Sequence, residues 1–98
     1  MLIHPEQLKL TTATGAASGN TQKLMGVVLG IHVKPATETT AYTITITNPS
    51  GIVVVERTGE TGTLSEISSL PVNGIYTIAI TGATRDELFL VELGVHEE

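Results

Sequence analysis

The stretch AYTITITNPSGIVVVE, Ala41 to Glu56, decides the fold class. Tyr42, Ile44 and Ile46 alternate with Thr43, Thr45 and Thr47, which makes one face of the segment apolar and the other hydroxylated. A period of two with one wet face is the mark of a half-buried strand. Asn48-Pro49-Ser50-Gly51 follows. Pro49 presets φ at the second turn position and Gly51 tolerates what comes after, so the chain reverses there. The return strand, Ile52 to Arg57, carries Val53, Val54 and Val55 in succession, and this predicts partial cover on both of its faces.

The same pattern extends outward from the hairpin. On the N-terminal side, a first strand is predicted over Glu6 to Thr12, with Leu8 and Leu10 on one face. TTATGAASGN, Thr11 to Asn20, is rich in small residues and reads as a loop. A second strand runs from about Gln22 to Val33, with Met25, Val27, Leu29, Ile31 and Val33 sharing one face against Leu24, Gly26, Val28, Gly30 and His32. Pro35 ends that ladder because it has no N–H to donate. Beyond the hairpin, Thr58 to Asn73 is expected to be an irregular connection with a short strand. A capping box of Thr63 and Glu66 offers the alternative of a single helical turn, but so short a helix is marginal and Pro71 limits it. Asn73-Gly74 marks a tight turn. Tyr76, Ile78 and Ile80 then share one face, and after the loop Gly82 to Asp86 so do Phe89, Val91, Leu93 and Val95. The expectation is all-β: a small antiparallel β-sandwich of six to seven strands, jelly-roll or immunoglobulin-like. One domain is expected over 1–98, with a short N-terminal arm over about 1–5 and a tail over about 96–98.

Composition narrows the function. Sixteen of 98 residues are Thr, which suits a pleated, half-wet surface. Cysteine is absent, so neither a disulfide nor a thiolate metal site exists. Five Lys and Arg face ten Asp and Glu, for a net charge of −5. The cations Lys9, Lys23, Lys34, Arg57 and Arg85 are scattered along the chain, whereas a nucleic-acid binder clusters them against phosphates. The opening MLIHPEQLKL lacks the cationic start and apolar stretch of a signal peptide, and no apolar run is long enough for a spanning helix. Neither a nucleic acid nor a membrane is an expected partner.

Catalytic and metal motifs are equally sparse. His4, His32 and His96 stand far apart in sequence, without the short spacing of a zinc site. Asp86 is the only Asp, and no G-x-S-x-G elbow presents a serine to a triad that would use it. Glu56, Glu60, Glu66, Asp86, Glu87 and Glu92 could pair for acid–base work, but nothing in the spacing marks out a pair. No glycine-rich phosphate loop occurs. Asn20-Thr21-Gln22 is not a glycosylation acceptor, and the proline of Asn48-Pro49-Ser50 bars that one. The chain is therefore expected to be no enzyme, with no cofactor and no metal. Interaction surfaces remain. One is the hydroxylated hairpin face of Thr43, Thr45 and Thr47, and the other is the apolar N-terminal arm of Met1, Leu2, Ile3 and His4. Open strand edges add unpaired N–H and C=O groups.

The order of parts resembles small virion structural proteins of tailed bacteriophages. LKLTTATGAASGN, Leu8 to Asn20, is similar to their opening strand and Gly/Ser-rich loop. GVVLGIHV, Gly26 to Val33, resembles the aliphatic strand that follows, and YTITITNPSGIVVVERTG, Tyr42 to Gly59, the hairpin. PVNGIYTIAITGATRDELFLVEL, Pro71 to Leu93, resembles the closing strands. The aromatic-rich stretch usual before them is replaced here by GETGTLSEISSL. The resemblance implies a non-enzymatic particle component found in the virion and assembled in the host cytoplasm. It would be a capsid cement or decoration protein on the major capsid protein, self-associating as trimers, or else a neck, collar or fibre-base protein beside the portal. The competing class is an extracellular adhesion or carbohydrate-binding sandwich, resembling bacterial immunoglobulin-like modules.

Overall fold

The structure, a computed structural model, describes residues 2–97, with side chains over 5–97. Met1 lies outside the described residues, as do the side chains of Leu2, Ile3 and His4. Eight strands follow one another: β1 (Leu2–Thr11), β2 (Ala17–Asn20), β3 (Leu24–Pro35), β4 (Ala41–Thr47), β5 (Val53–Thr61), β6 (Leu64–Gly74), β7 (Thr77–Thr81) and β8 (Leu88–Glu97). They form two four-stranded sheets, ordered β1-β8-β3-β6 and β2-β7-β4-β5, with every neighbouring pair antiparallel. First pairs with last, second with seventh, third with sixth and fourth with fifth. One long hairpin has thus been rolled up into a sandwich, which is the jelly-roll order. An immunoglobulin-like sandwich keeps its first two strands in one sheet; here β1 and β2 lie in different sheets.

The core follows the period-two faces. Tyr42, Ile44 and Ile46 of β4, Ile78 and Ile80 of β7, and Phe89, Val91, Leu93 and Val95 of β8 are all buried. The Tyr42 and Phe89 rings meet edge to face at 5.1 Å across the two sheets, a geometry that contributes about 1 kcal/mol beyond area burial. On the β1–β2 side, a Cβ at Gly19 would come within 2.9 Å of a Leu10 methyl, so the glycine lets the two sheets close together there.

Six expectations are corrected. β1 begins at Leu2, not Glu6: Leu2, Ile3 and His4 pair with Glu97, His96 and Val95, so their backbone forms a ladder and no free arm. The same pairs carry β8 to Glu97, into the expected tail. The small-residue stretch contains a strand, β2, whose Ala17 to Asn20 pair with Ile80 to Thr77. In β3 the inward face changes phase. Leu24 and Val28 point in, then Ile31, Val33 and Pro35, while Met25 and Leu29 are exposed. The cause is a register break: between Val28 and Gly30, β3 advances two residues, β8 advances one (Val95 to Gly94) and β6 advances three (Leu70 to Ile67). Extra residues accumulate across the sheet and bend it. Finally, 58–73 is mostly strand, and β5 is an exposed edge rather than a strand covered on both faces.

Two of the four sheet edges, β5 and β6, are guarded. β5 holds an extra residue against β4 near Val54 and another near Thr58-Gly59, where Gly59 adopts φ +72°. β6 carries its own bulge and Pro71. Bulges and proline discourage a foreign strand from pairing along an edge. The two strands lie on opposite sheets, and Arg57 of β5 grips Glu66 of β6 with two nitrogens, at 3.1 and 3.0 Å.

Candidate interaction surface

The loops divide between two ends of the sandwich. At one end lie the connections over 12–16, 36–40, 62–63 and 82–87, and hydrogen bonds tie them to one another. The Asp86 carboxylate accepts from the N–H groups of Thr14 and Gly15, at 3.1 and 2.8 Å. Thr14 holds φ +51°, and Asp86 secures that turn. The Thr12 hydroxyl accepts from the Glu87 N–H at 2.9 Å, and Glu87 in turn accepts from the Thr37 N–H at 2.8 Å and the Thr40 hydroxyl at 2.9 Å. Burial alone would push the Glu87 carboxyl up, but these donors and the nearby Arg85 guanidinium outweigh it and hold the group below its ordinary value. Glu38 accepts from the Thr63 hydroxyl at 2.9 Å. Asp86, Glu87 and Glu66 are thus committed to turns, loops and a clamp between the sheets.

The opposite end is apolar. It gathers the connections over 21–23, 48–52 and 75–76 with the first residues of β1, β3 and β5. Met25, Ile52, Val53 and Ile75 are all more than half exposed there. Their proximity follows from the register. Met25 opposes Asn73, two residues from Ile75, and Val53 opposes Thr47 beside the 48–52 turn. That turn lies over the end of β6, where a Cβ at Gly74 would reach Pro49 Cγ at 2.7 Å. Gly26 keeps φ +131°, and a Cβ there would overlap the His96 carbonyl, so β3 and β8 approach closely at this end. Leu2 of β1 pairs with Glu97, which also pairs with Gly26. The backbone of Leu2 to His4 therefore stands at the apolar end.

Thr43, Thr45 and Thr47 lie on the outer face of the β2-β7-β4-β5 sheet. They oppose Thr81, Ala79 and Thr77 of β7, and beyond these stand Ser18 and Asn20 of β2. All of these side chains are small and uncharged. An open depression of about 420 Å³ at the β2–β7 edge is lined by Ala16, Ala17, Ser18, Ala79, Ile80 and Thr81, with no ionisable group. A second, of about 250 Å³, lies on the outer face of the other sheet among Gln7, His32, Lys34, Thr63, Leu90 and Glu92.

Among the described side chains, His32 and His96 stand apart, opposite Glu92 of β8 and Val27 of β3 respectively. His32 Nδ1 meets Ser65 Oγ at 2.8 Å, and His96 of β8 pairs with Ile3 of β1. Among the described residues, no group of three or more His, Asp or Glu side chains is placed to hold a metal ion, and no helix is long and apolar enough to cross a membrane.

Two of the hydroxylated and N-terminal candidates, Thr47 and the start of β1, thus border one surface. The apolar members Met25, Ile52, Val53 and Ile75 were not singled out by the sequence. Their one local signal is position: Ile52 follows Asn48–Gly51, and Ile75 follows Asn73-Gly74, so each is an aliphatic side chain on a turn.

No family model and no curated protein sequence matches the chain. Solved structures of infectious bursal disease virus are similar to it at low level. For the Gt strain the TM-score is 0.41 with 11% identity, covering 97% of this chain and 32% of that one. For the Gx strain it is 0.40 with 11% identity, covering 95% and 30%. The chain spans about a third of the length of these structures. Likeness at this level carries no functional argument.

Proposed function

We propose that this chain is a non-enzymatic virion structural protein, most simply a capsid cement or decoration protein bridging major capsid subunits, and that the apolar end is its docking surface. One observation carries the reading: four exposed aliphatic side chains, Met25, Ile52, Val53 and Ile75, concentrate at one end of the sandwich. Apolar side chains gathered on one surface mark a contact with another protein. The jelly-roll frame recurs in viral capsid proteins, but also in lectins and cupins, so it supports the reading without carrying it. Bridging by many repeated weak contacts would resist outward pressure on a shell.

Counting copies in purified virions against the major capsid protein tests the reading. Hundreds of copies support the cement role. About a dozen would move the protein to the neck or collar, as ring assemblies allow. Absence from particles overturns the virion role and leaves the extracellular binding module. Ile52→Ser with Ile75→Ser should abolish binding to shells with little change in thermal unfolding, because both side chains are already more than half exposed.

A further inference from the structure

The backbone groups of β2 alternate between β7 and the sheet edge. The Thr21 N–H donates to the Tyr76 carbonyl at 2.8 Å, and the same register continues through Gly19 opposite Ile78 and Ala17 opposite Ile80. Opposed pairs in an antiparallel ladder alternate between bonded and unbonded. Thr21, Gly19 and Ala17 therefore turn their N–H and C=O groups toward β7, while Ala16, Ser18, Asn20 and Gln22 turn theirs away. The two ends of this outward row are closed from within the chain. Ala16 exchanges both of its bonds with Ala13, at 3.1 and 2.9 Å, and the Gln22 N–H donates to the Glu6 carboxylate at 2.8 Å. Between these ends, the N–H and C=O groups of Ser18 and Asn20 have no partner among the described residues.

Each of the other three edges carries a device against an added strand. β5 and β6 have bulges, and β6 also has Pro71. On β1 the Thr12 N–H donates to the Glu87 carbonyl, so by the same alternation Thr11, Lys9, Gln7, Pro5 and Ile3 face outward. Pro5 has no N–H and interrupts that row. β2 has neither bulge nor proline, and Ala17 to Asn20 include no ionisable side chain. Beside it lies the depression of about 420 Å³ lined by Ala16, Ala17, Ser18, Ala79, Ile80 and Thr81. A charged side chain entering this space would lose water without gaining a partner, whereas an aliphatic one would gain by burial. Beyond the two ends stand Glu6 with Lys23, and Asp86 with Arg85, so neither end favours one sign of charge.

We propose that the β2 edge is a docking site for an extended, uncharged segment of another protein, which adds to the β2-β7-β4-β5 sheet as a fifth strand. An extended backbone presents C=O and N–H groups at the two-residue interval of Ser18 and Asn20, and main-chain bonding of this kind is how an added strand is held. The segment satisfies the four open groups and lays an aliphatic side chain into the depression. The closed ends at Ala16 and Gln22 keep it short, about four residues. Leu2–Thr11 and Leu88–Glu97 pair with each other, so the described ends of this chain supply no such segment and the occupant is a different polypeptide. The site uses none of Met25, Ile52, Val53 and Ile75 and does not rest on the virion reading, so either can fail alone.

The test uses the purified full chain and a set of blocked seven-residue peptides that alternate Thr with Val, Ile or Leu. One peptide should bind per chain and slow amide exchange at Ser18 and Asn20 by about tenfold or more. Ser18→Pro removes an outward N–H but no bond to β7, so it should weaken binding about tenfold with a thermal unfolding midpoint near wild type. Ala79→Lys sets an ammonium group at the depression and should weaken binding as much; it decides the matter if the proline variant fails to fold. Ile52→Ser with Ile75→Ser should bind the peptides as the wild type does. The proposal is overturned if no peptide of the set slows those two amides, if a folded edge variant binds like wild type, or if the Ile52 and Ile75 double variant loses binding. Protection of Ser18 and Asn20 that rises with chain concentration in the absence of peptide would also overturn it, because a second copy would then hold the edge.

Discussion

Tyr42 shows how one side chain joins packing to chemistry. Its ring fills the core against Phe89, and its hydroxyl donates to the Gly62 carbonyl at 2.7 Å, tying β4 to the β5–β6 turn. Burial, with the Glu60 and Glu38 carboxylates nearby, pushes the hydroxyl from 10.0 up to about 12. The folded value lies above the unfolded one, so the contribution is complete below pH 10 and is lost as pH rises through about 12. Tyr42→Phe should cost about 1–2 kcal/mol near pH 9, because the buried carbonyl loses its donor. Denaturant unfolding should show that gap narrowing toward pH 12; an unchanged gap would remove the titration from the account. The need for a large side chain at Tyr42 was readable from the alternation of Ala41–Thr47. Its hydrogen bond was not, since Gly62 lies twenty residues away.

At the scale of elements, legibility depended on contrast between faces. β4, β7 and β8 each alternate a wholly apolar face with a more polar one, and the structure buries the predicted faces. β3 is apolar on both faces, so no local pattern could choose its inward side; the bulge at Leu29, set by β8 and β6, made the choice. β2 has no apolar pattern at all and exists because β7 offers it an edge. The start of β1 was hidden by Pro5, yet its ladder with β8 runs unbroken from Leu2 to Thr11. Deleting residues 1–4 removes three of those pairs. Stability should then fall by about 2 kcal/mol, lowering Tm by roughly 10 °C for a chain of this size. An unchanged Tm in calorimetry would show that these pairs contribute nothing in solution.

The whole molecule is one rolled hairpin around one core, with no cysteine to staple it. The pairing of β1 with β8 joins the two ends of the chain, and both sheets contribute to the same buried cluster. Unfolding should therefore be a single transition, with calorimetric and van't Hoff enthalpies equal. Two resolved transitions would mean that the sheets separate before they melt. The sequence by itself determined the all-β class, the Asn48–Gly51 reversal and the inward faces of β4, β7 and β8. Each of these rests on a period or a turn that a few neighbouring residues complete. The jelly-roll order, the phase of β3, the guarded β5 and β6 edges and the apolar end came from the tertiary structure alone. Those features arise from pairings between residues far apart in the chain, and no local pattern encodes which strand will lie beside which.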